Sequence, residues 1–227
     1  MELIVYALAP VAVVILYIYL KDKYEKEPKR LLLISFLLGA IVSIIITTIL
    51  YGVFDLALPL TNSLSVWQQF VQAFFVVGFS EELSKYLIVL LFAQRHKAFN
   101  EPFDGIVYAV MVSMGFAATE NIFYVMESGP STALLRAFTA IPAHATFAIL
   151  MGYFMGKAKF SSNRIILNLT GLCLAILFHG AYDFFLFIDF IPGIWVGAFI
   201  SLFIALILSR KAIKKHQEIS YFNIEEE

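Results

Sequence analysis

Two adjacent carboxylates and a lysine, in Glu81-Glu82-Leu83-Ser84-Lys85, stand inside an apolar run where charge is expensive. On a helix Glu81 and Lys85 are spaced i, i+4 and Glu82 and Lys85 i, i+3, so one ammonium can neutralise one carboxylate and keep it ionised. The other carboxylate is then free to act as general base or acid toward a water. Four further polar groups fall inside apolar runs: Glu120, His144, His179 and Asp183. His179 and Asp183 are also i, i+4 and share a helical face, so the carboxylate can hold the imidazole or join it as a ligand. Glu120 with Asn121 reads either as part of this chemistry or as an interhelical polar clamp. Arg136 reads as an interfacial anchor, and Pro142, two residues before His144, predicts a water-filled kink there.

The elements that must position these groups are membrane spans. The 227 residues are 61% hydrophobic, with a mean hydropathy of +0.85, well above the roughly 45–50% apolar content of a soluble domain. Crossing a bilayer takes about 20 mostly apolar residues. Seven segments meet or approach that length: Leu3 to Leu20, Leu31 to Phe54, Val66 to Ala93, Gly105 to Met126, Phe138 to Gly156, Ile165 to Phe187 and Ile191 to Ser209. The third is long enough to bend or split near Gly78, which gives a range of six to eight. The expected fold is an all-α polytopic transmembrane bundle of about seven spans, a single integral membrane domain over 1–227 with 210–227 as a solvated cytoplasmic tail ending Glu225-Glu226-Glu227. Gly152-x-x-x-Gly156 and Gly193-x-x-x-Gly197 read as small-residue packing seams. The single cysteine, Cys173, reads as a small buried packing residue that excludes an internal disulfide.

Basic residues mark every second connection. Fourteen of the 16 lysines and arginines lie in Lys21 to Arg30, Gln94 to Asp104, Lys157 to Arg164 and the tail from Arg210. By the positive-inside rule the N-terminus is outside and the tail cytoplasmic. At about 1.5 Å per residue, Glu120, His144, His179 and Asp183 then lie about 6–12 Å below the outer ends of their spans, with Glu81 and Glu82 deeper. A net charge of −1 gives no basic patch for nucleic acid, so partners are expected in or near the lipid bilayer.

These motifs resemble those of the PrsW family of membrane proteases, relatives of the CAAX-processing and bacteriocin-processing superfamily. Glu81-Glu82-Leu83-Ser84-Lys85 is similar to the family's E-E-x-x-K, Phe116-Ala117-Ala118-Thr119-Glu120-Asn121 to its F-x-x-x-E-N, and His179-Gly180-Ala181-Tyr182-Asp183 to its H-x-x-x-D. The likeness runs from about Glu81 to Phe184. It implies proteolysis of a single-pass membrane substrate, an anti-sigma factor in the best-known case. It also implies a catalytic group of Glu81, Glu82 and His179 supported by Glu120, His144 and Asp183, with Lys85 and Asn121 beside them. The wider superfamily usually carries histidine where this chain has Glu120.

Two mechanisms fit the residues. In a metal-free centre a Glu81 or Glu82 carboxylate activates water, and His179 or His144 donates to the oxyanion. In a metal centre two histidines and a carboxylate, from His144, His179 and Glu120, hold Zn2+, and a remaining glutamate is the base. The sequence reading favours the metal-free centre, with no cofactor, and keeps Zn2+ as the alternative. The expectation is an endopeptidase of a bacterial or archaeal cytoplasmic membrane. Its rivals are a proton- or ion-coupled transporter, in which the same groups would relay protons, and a non-catalytic membrane scaffold.

Overall fold

The computed structural model describes residues 2–222. Among them the chain is all-helical: α1 (Glu2–Lys21), α2 (Lys29–Ala57), α3 (residues 66–91), α4 (Phe103–Ser128), a short α5 (Pro130–Phe138), α6 (Ala140–Lys159), α7 (Arg164–Phe187) and α8 (Val196–Glu218). Six helical rods, α5 and α6 counting as one, are long and apolar enough to cross a membrane. The seventh long helix is α3, in which Glu81, Glu82 and Lys85 concentrate more charge than a lipid-facing span carries.

The helix at the centre is α4, apolar on all sides and buried from Phe103 to Ala118. By contrast α1, α2 and α8 present Val13, Leu20, Ile45, Ile49 and Phe203 outward. Lipid is as apolar as these side chains, so association rests on close packing rather than on escape from water. Glycines allow it. A Cβ on Gly39 would lie 1.9 Å from the Val112 carbonyl oxygen, and one on Gly115 1.9 Å from that of Phe36, which brings α2 and α4 into backbone contact. The Gly152-x-x-x-Gly156 seam does the same for α6, where added Cβ atoms would fall 2.3 Å from Gly105 O and 2.0 Å from Pro102 O of the α4 segment. Gly193 is not part of such a seam: it lies in the turn before α8 with φ 81° and open space around it, so only Gly197 packs, against the Phe185 ring.

Two helices are locally underwound, α2 at Gly39–Ser43 and α3 at Gln72–Gly78, where π-helical turns replace the α ladder. The irregularity expected near Gly78 is therefore a wide turn ending there, not a split. Thr119 Oγ1 donates to the Ala40 carbonyl oxygen at 3.0 Å within the α2 turn, one way such a backbone is satisfied without water. Around α3 the wide turn seats the chain against α7. A Cβ on Gly78 would lie 3.2 Å from Gly180 N, and one on Gly180 2.5 Å from Phe74 Cδ1.

Three local expectations change. Pro142 makes no kink within a span, because the chain breaks earlier, at Thr139 (φ −122°, ψ −79°), and Pro142 falls in the first turn of α6. A missing N–H costs nothing there, since first-turn amides have no intrahelical partner. The solvated tail is also revised: α8 continues to Glu218 with Ala212, Ile213 and His216 buried, and Gln217 Nε2 donates to Lys21 O at 2.5 Å. The terminal Glu225-Glu226-Glu227 lies outside the described residues. Cys173 sits on an exposed face of α7 rather than in the packing.

Candidate active site

Four helices and the short α5 bring every sequence-predicted site residue together. Lys85 is the hub. Its Nζ lies 2.8 Å from Glu82 Oε1 and 3.2 Å from Glu81 Oε2, 3.3 Å from His144 Nδ1 and 4.1 Å from the centre of the Phe116 ring. Glu81, Glu82, Lys85, His144 and His179 are all buried to within 5% of full exclusion. An unpaired charge at such depth would cost several kcal/mol, which the reciprocal arrangement avoids.

The two histidines are held alike. His179 turns Nδ1 to Glu82 Oε1 at 2.8 Å and Nε2 to Asp183 Oδ2 at 3.2 Å. His144 turns Nδ1 to Lys85 and Nε2 to Glu120 Oε2 at 2.9 Å. In each case an outer carboxylate fixes Nε2 and the other nitrogen faces α3, at Glu82 for His179 and at Lys85 for His144. The rings meet edge to face at 5.4 Å, and Phe147 stacks on His179 at 5.2 Å. The close approach of α3 and α7 at Gly78 and Gly180 is what lets a side chain on α7 reach Glu82.

Two residues enter that sequence reasoning did not assign to the site. Tyr51 of α2 donates its hydroxyl to Glu81 Oε1 at 2.8 Å. Arg136 of α5, expected to be an interfacial anchor, instead places Nη2 2.6 Å from Glu120 Oε2 and donates Nε to Asn121 Oδ1 at 2.7 Å. Asn121 Nδ2 in turn donates to Ala7 O at 2.8 Å, so this residue ties α4 to α1 and orients the arginine. The i, i+15 and i, i+16 separations of Arg136 from its partners carry no helical period, which is why spacing could not find them.

A cavity of about 620 Å3 opens onto the group, lined by Tyr51, Glu81, Glu120, Arg136, His144, His179 and Asp183, with Phe123 and Leu135 at its apolar rim. Glu81 faces the cavity and Glu82 lies behind it. Glu82 Oε2 is buried without any hydrogen-bond partner. Glu81, Glu82, His144 and His179 each offer a ligand atom within 4.8 Å of the others. Two imidazoles, two carboxylates and an orphaned buried oxygen fit a zinc-type ion by donor chemistry. Glu120, a ligand candidate by sequence, stands outside this foursome and holds His144 from behind. Lys85 stands among the donor atoms, so an ion there requires its ammonium to withdraw.

Carboxylates and imidazoles buried together beside a cavity, within a bundle whose outer helices turn apolar faces outward, are the kind of group that can activate water inside a membrane. The model of the PrsW family intramembrane metalloprotease matches residues 27–210, and this chain belongs to that family: it is a multi-pass membrane protease. Proteins named Protease PrsW are similar along most of their length. The one from Oceanobacillus iheyensis is 38% identical over 180 residues, covering 79% of this chain and 80% of its own. That from Bacillus subtilis is 36% identical over 181 residues, covering 79% and 80%. That from Clostridioides difficile is 35% identical over 198 residues, covering 84% and 81%. No solved structure matches. The family membership sets aside the carrier and scaffold readings.

Proposed function

We propose that this protease cuts a single-pass membrane protein of the anti-sigma-factor kind, near the extracytoplasmic end of its span, in a bacterial or archaeal cytoplasmic membrane. The observation that carries the catalytic part is the paired histidine geometry: both imidazoles turn Nδ1 toward the α3 charge cluster, His179 to Glu82 and His144 to Lys85, while Asp183 and Glu120 hold their Nε2 atoms. Outer carboxylates of this kind fix tautomer and ring orientation.

Glu81 is the general base in this reading, because it faces the cavity while Glu82 does not. Tyr51 and Lys85 hold its two oxygens and aim the carboxylate. His144, His179 and Glu82 would hold a divalent metal, which when bound supplies Lewis acidity toward the scissile carbonyl. Sequence alone favoured a metal-free centre; the four-donor group and the family's description weigh for the metal. Arg136, whose guanidinium keeps N–H groups beyond those on Glu120 and Asn121, is the cavity's donor for the peptide backbone. The apolar rim of Phe123 and Leu135 suits a substrate helix arriving from the lipid.

The side of cleavage follows from charge. The basic connections after α1, α3 and α6 lie at one end of the helices, and Glu120, His144 and Asp183 near the other. With the basic end cytoplasmic, water enters the site from outside, and the substrate's carbonyls are most accessible where its helix frays.

Purified protein in lipid nanodiscs, given a single-span substrate, tests the metal. Chelation should abolish cleavage and Zn2+ should restore it. Full activity after chelation, with no metal found by elemental analysis, would return the centre to the metal-free form.

A further inference from the structure

The opposite end of the bundle holds a second group of carboxylates that proteolysis does not use. Asp22 and Glu27 in the connection between α1 and α2, and Glu101 and Asp104 at the start of α4, are each at most 2% exposed, and Glu25 is partly buried beside them. Among the described residues none of these five acids forms an ion pair. Two ammonium groups in the neighbourhood bond to backbone oxygens instead: Lys26 donates to those of Tyr19 and Asp22, and Lys159 to those of Gln94 and His96.

Three of the acids share one pattern. Each has one oxygen held by a protein donor and the other without a nitrogen or hydroxyl donor; the Glu27 and Asp104 carboxyls lie within hydrogen-bond reach of each other, so without a cation they share a proton. Glu25 Oε1 accepts from Asn100 Nδ2 at 3.1 Å, and its Oε2 is free. Glu27 Oε2 accepts from the Tyr108 hydroxyl, and its Oε1 is free. Asp104 Oδ2 accepts from the backbone amides of Asn100 and Glu101 at 2.7 and 2.8 Å, and its Oδ1 is free. Asn100 Oδ1 and both oxygens of Asp22 are also buried and unpartnered. A ligand oxygen from each of Glu25, Glu27 and Asp104 lies within 4.8 Å of the others. Oxygens on opposite sides of a Ca2+ ion, each about 2.4 Å from it, are at most about 4.8 Å apart.

We propose that Glu25, Glu27 and Asp104 form a binding site for a hard divalent cation, Ca2+ or Mg2+, which clamps the α1–α2 connection to the start of α4. The donors are all oxygen, with neither histidine nor cysteine, which selects hard ions over zinc. Asn100, Tyr108 and the amides before α4 hold one oxygen of each carboxylate, and an oxygen of each of the three acids lies within 4.8 Å of the others. Through Glu101, whose carboxylate accepts from Ser220, the segment just after α8 is tied to the same place. The site is structural and separate from the protease centre, which has imidazole donors.

The experiment is a thermal-unfolding and binding titration of the detergent-purified full chain with Ca2+, Mg2+ and Mn2+ at pH 7.5, after chelation. Wild type should gain several degrees in its unfolding midpoint as the cation saturates, with one equivalent bound to the cluster. The double variant Glu27→Gln/Asp104→Asn should lose that gain, with Kd raised at least about tenfold. If the double variant does not fold, Glu25→Gln, at the partly exposed ligand, should weaken the response in the same direction. Absence of any Ca2+ or Mg2+ effect on wild type up to millimolar concentration overturns the proposal. So does an unchanged Kd in whichever variant folds, because the binding then belongs elsewhere.

Discussion

The two ends of this bundle treat buried charge in opposite ways. At the catalytic end every acid is answered by a cation or an imidazole, with Glu82 Oε2 the one buried oxygen left open: Glu81 and Glu82 by Lys85, Glu82 and Asp183 by His179, Glu120 by His144 and Arg136. At the basic-loop end Asp22, Glu25, Glu27 and Asp104 carry buried oxygens with no partner. Closed circuits of this kind hold groups in one geometry, as water activation requires. Unanswered oxygens instead store a preference for a proton or a cation.

The largest effect should come from opening the catalytic circuit at its reacting groups. Glu81→Gln, Glu82→Gln and His179→Ala should each lower cleavage of a single-span substrate by roughly 10^3-fold or more, with the protein still inserted in the membrane. Wild-type cleavage by any one of them removes that residue from the assignment. Next in size is the hub: Lys85→Met leaves two buried carboxylates facing each other, and breaking such a pair costs about 3–5 kcal/mol. Unfolding of the detergent-purified variant should show it, and an unchanged midpoint would mean the charges at this end are answered by something else. Smaller again is Arg136→Gln, which loosens Glu120 behind His144. Its activity should drop about tenfold with an unfolding midpoint near wild type; a large loss of stability without loss of turnover would make Arg136 an anchor after all.

Much of this contrast was open to a reader of the sequence, and its limits are physical. Charge inside an apolar run is rare enough that Glu81, Glu82, Lys85, Glu120, His144, His179 and Asp183 announce themselves, and all of them converge. Tyr51 did not, because a tyrosine near a span's end is ordinary interfacial furniture. Glu25 and Glu27 were hidden by five lysines and arginines in the same connection, none of which forms an ion pair with them. Pro142 misled because its effect depends on where its helix starts, and that is set by the break at Thr139, which no strong sequence signal marks. The extent of α8 was lost for a similar reason: Lys214 and Lys215 look solvated and are, yet His216 beside them is buried.

The smallest effect belongs to the acidic end without metal. Burial pushes the Glu27 carboxyl up from 4.5 to about 7 and that of Asp22 from 3.8 to about 6. The folded state therefore binds these protons more tightly than the unfolded chain, and the stability they contribute is full below about pH 4 and lost as pH rises through about 7. In chelated buffer the unfolding midpoint should fall across that window in wild type and fall less in Glu27→Gln. An identical slope in both would show that the buried acids at this end are neutralised by some group not considered above.

The central claim, that Glu81 and its partners cut a membrane protein from the non-basic end of the bundle, is tested most directly by mapping one bond. Wild type and Glu81→Gln would be reconstituted with a single-span substrate and the new N-terminus of the membrane-bound fragment sequenced. The expected result is one cut at or just outside the extracytoplasmic end of the substrate's span, made by wild type and not by Glu81→Gln. A cut in the cytoplasmic half of the span, or the same cut made at the same rate by Glu81→Gln, would contradict it.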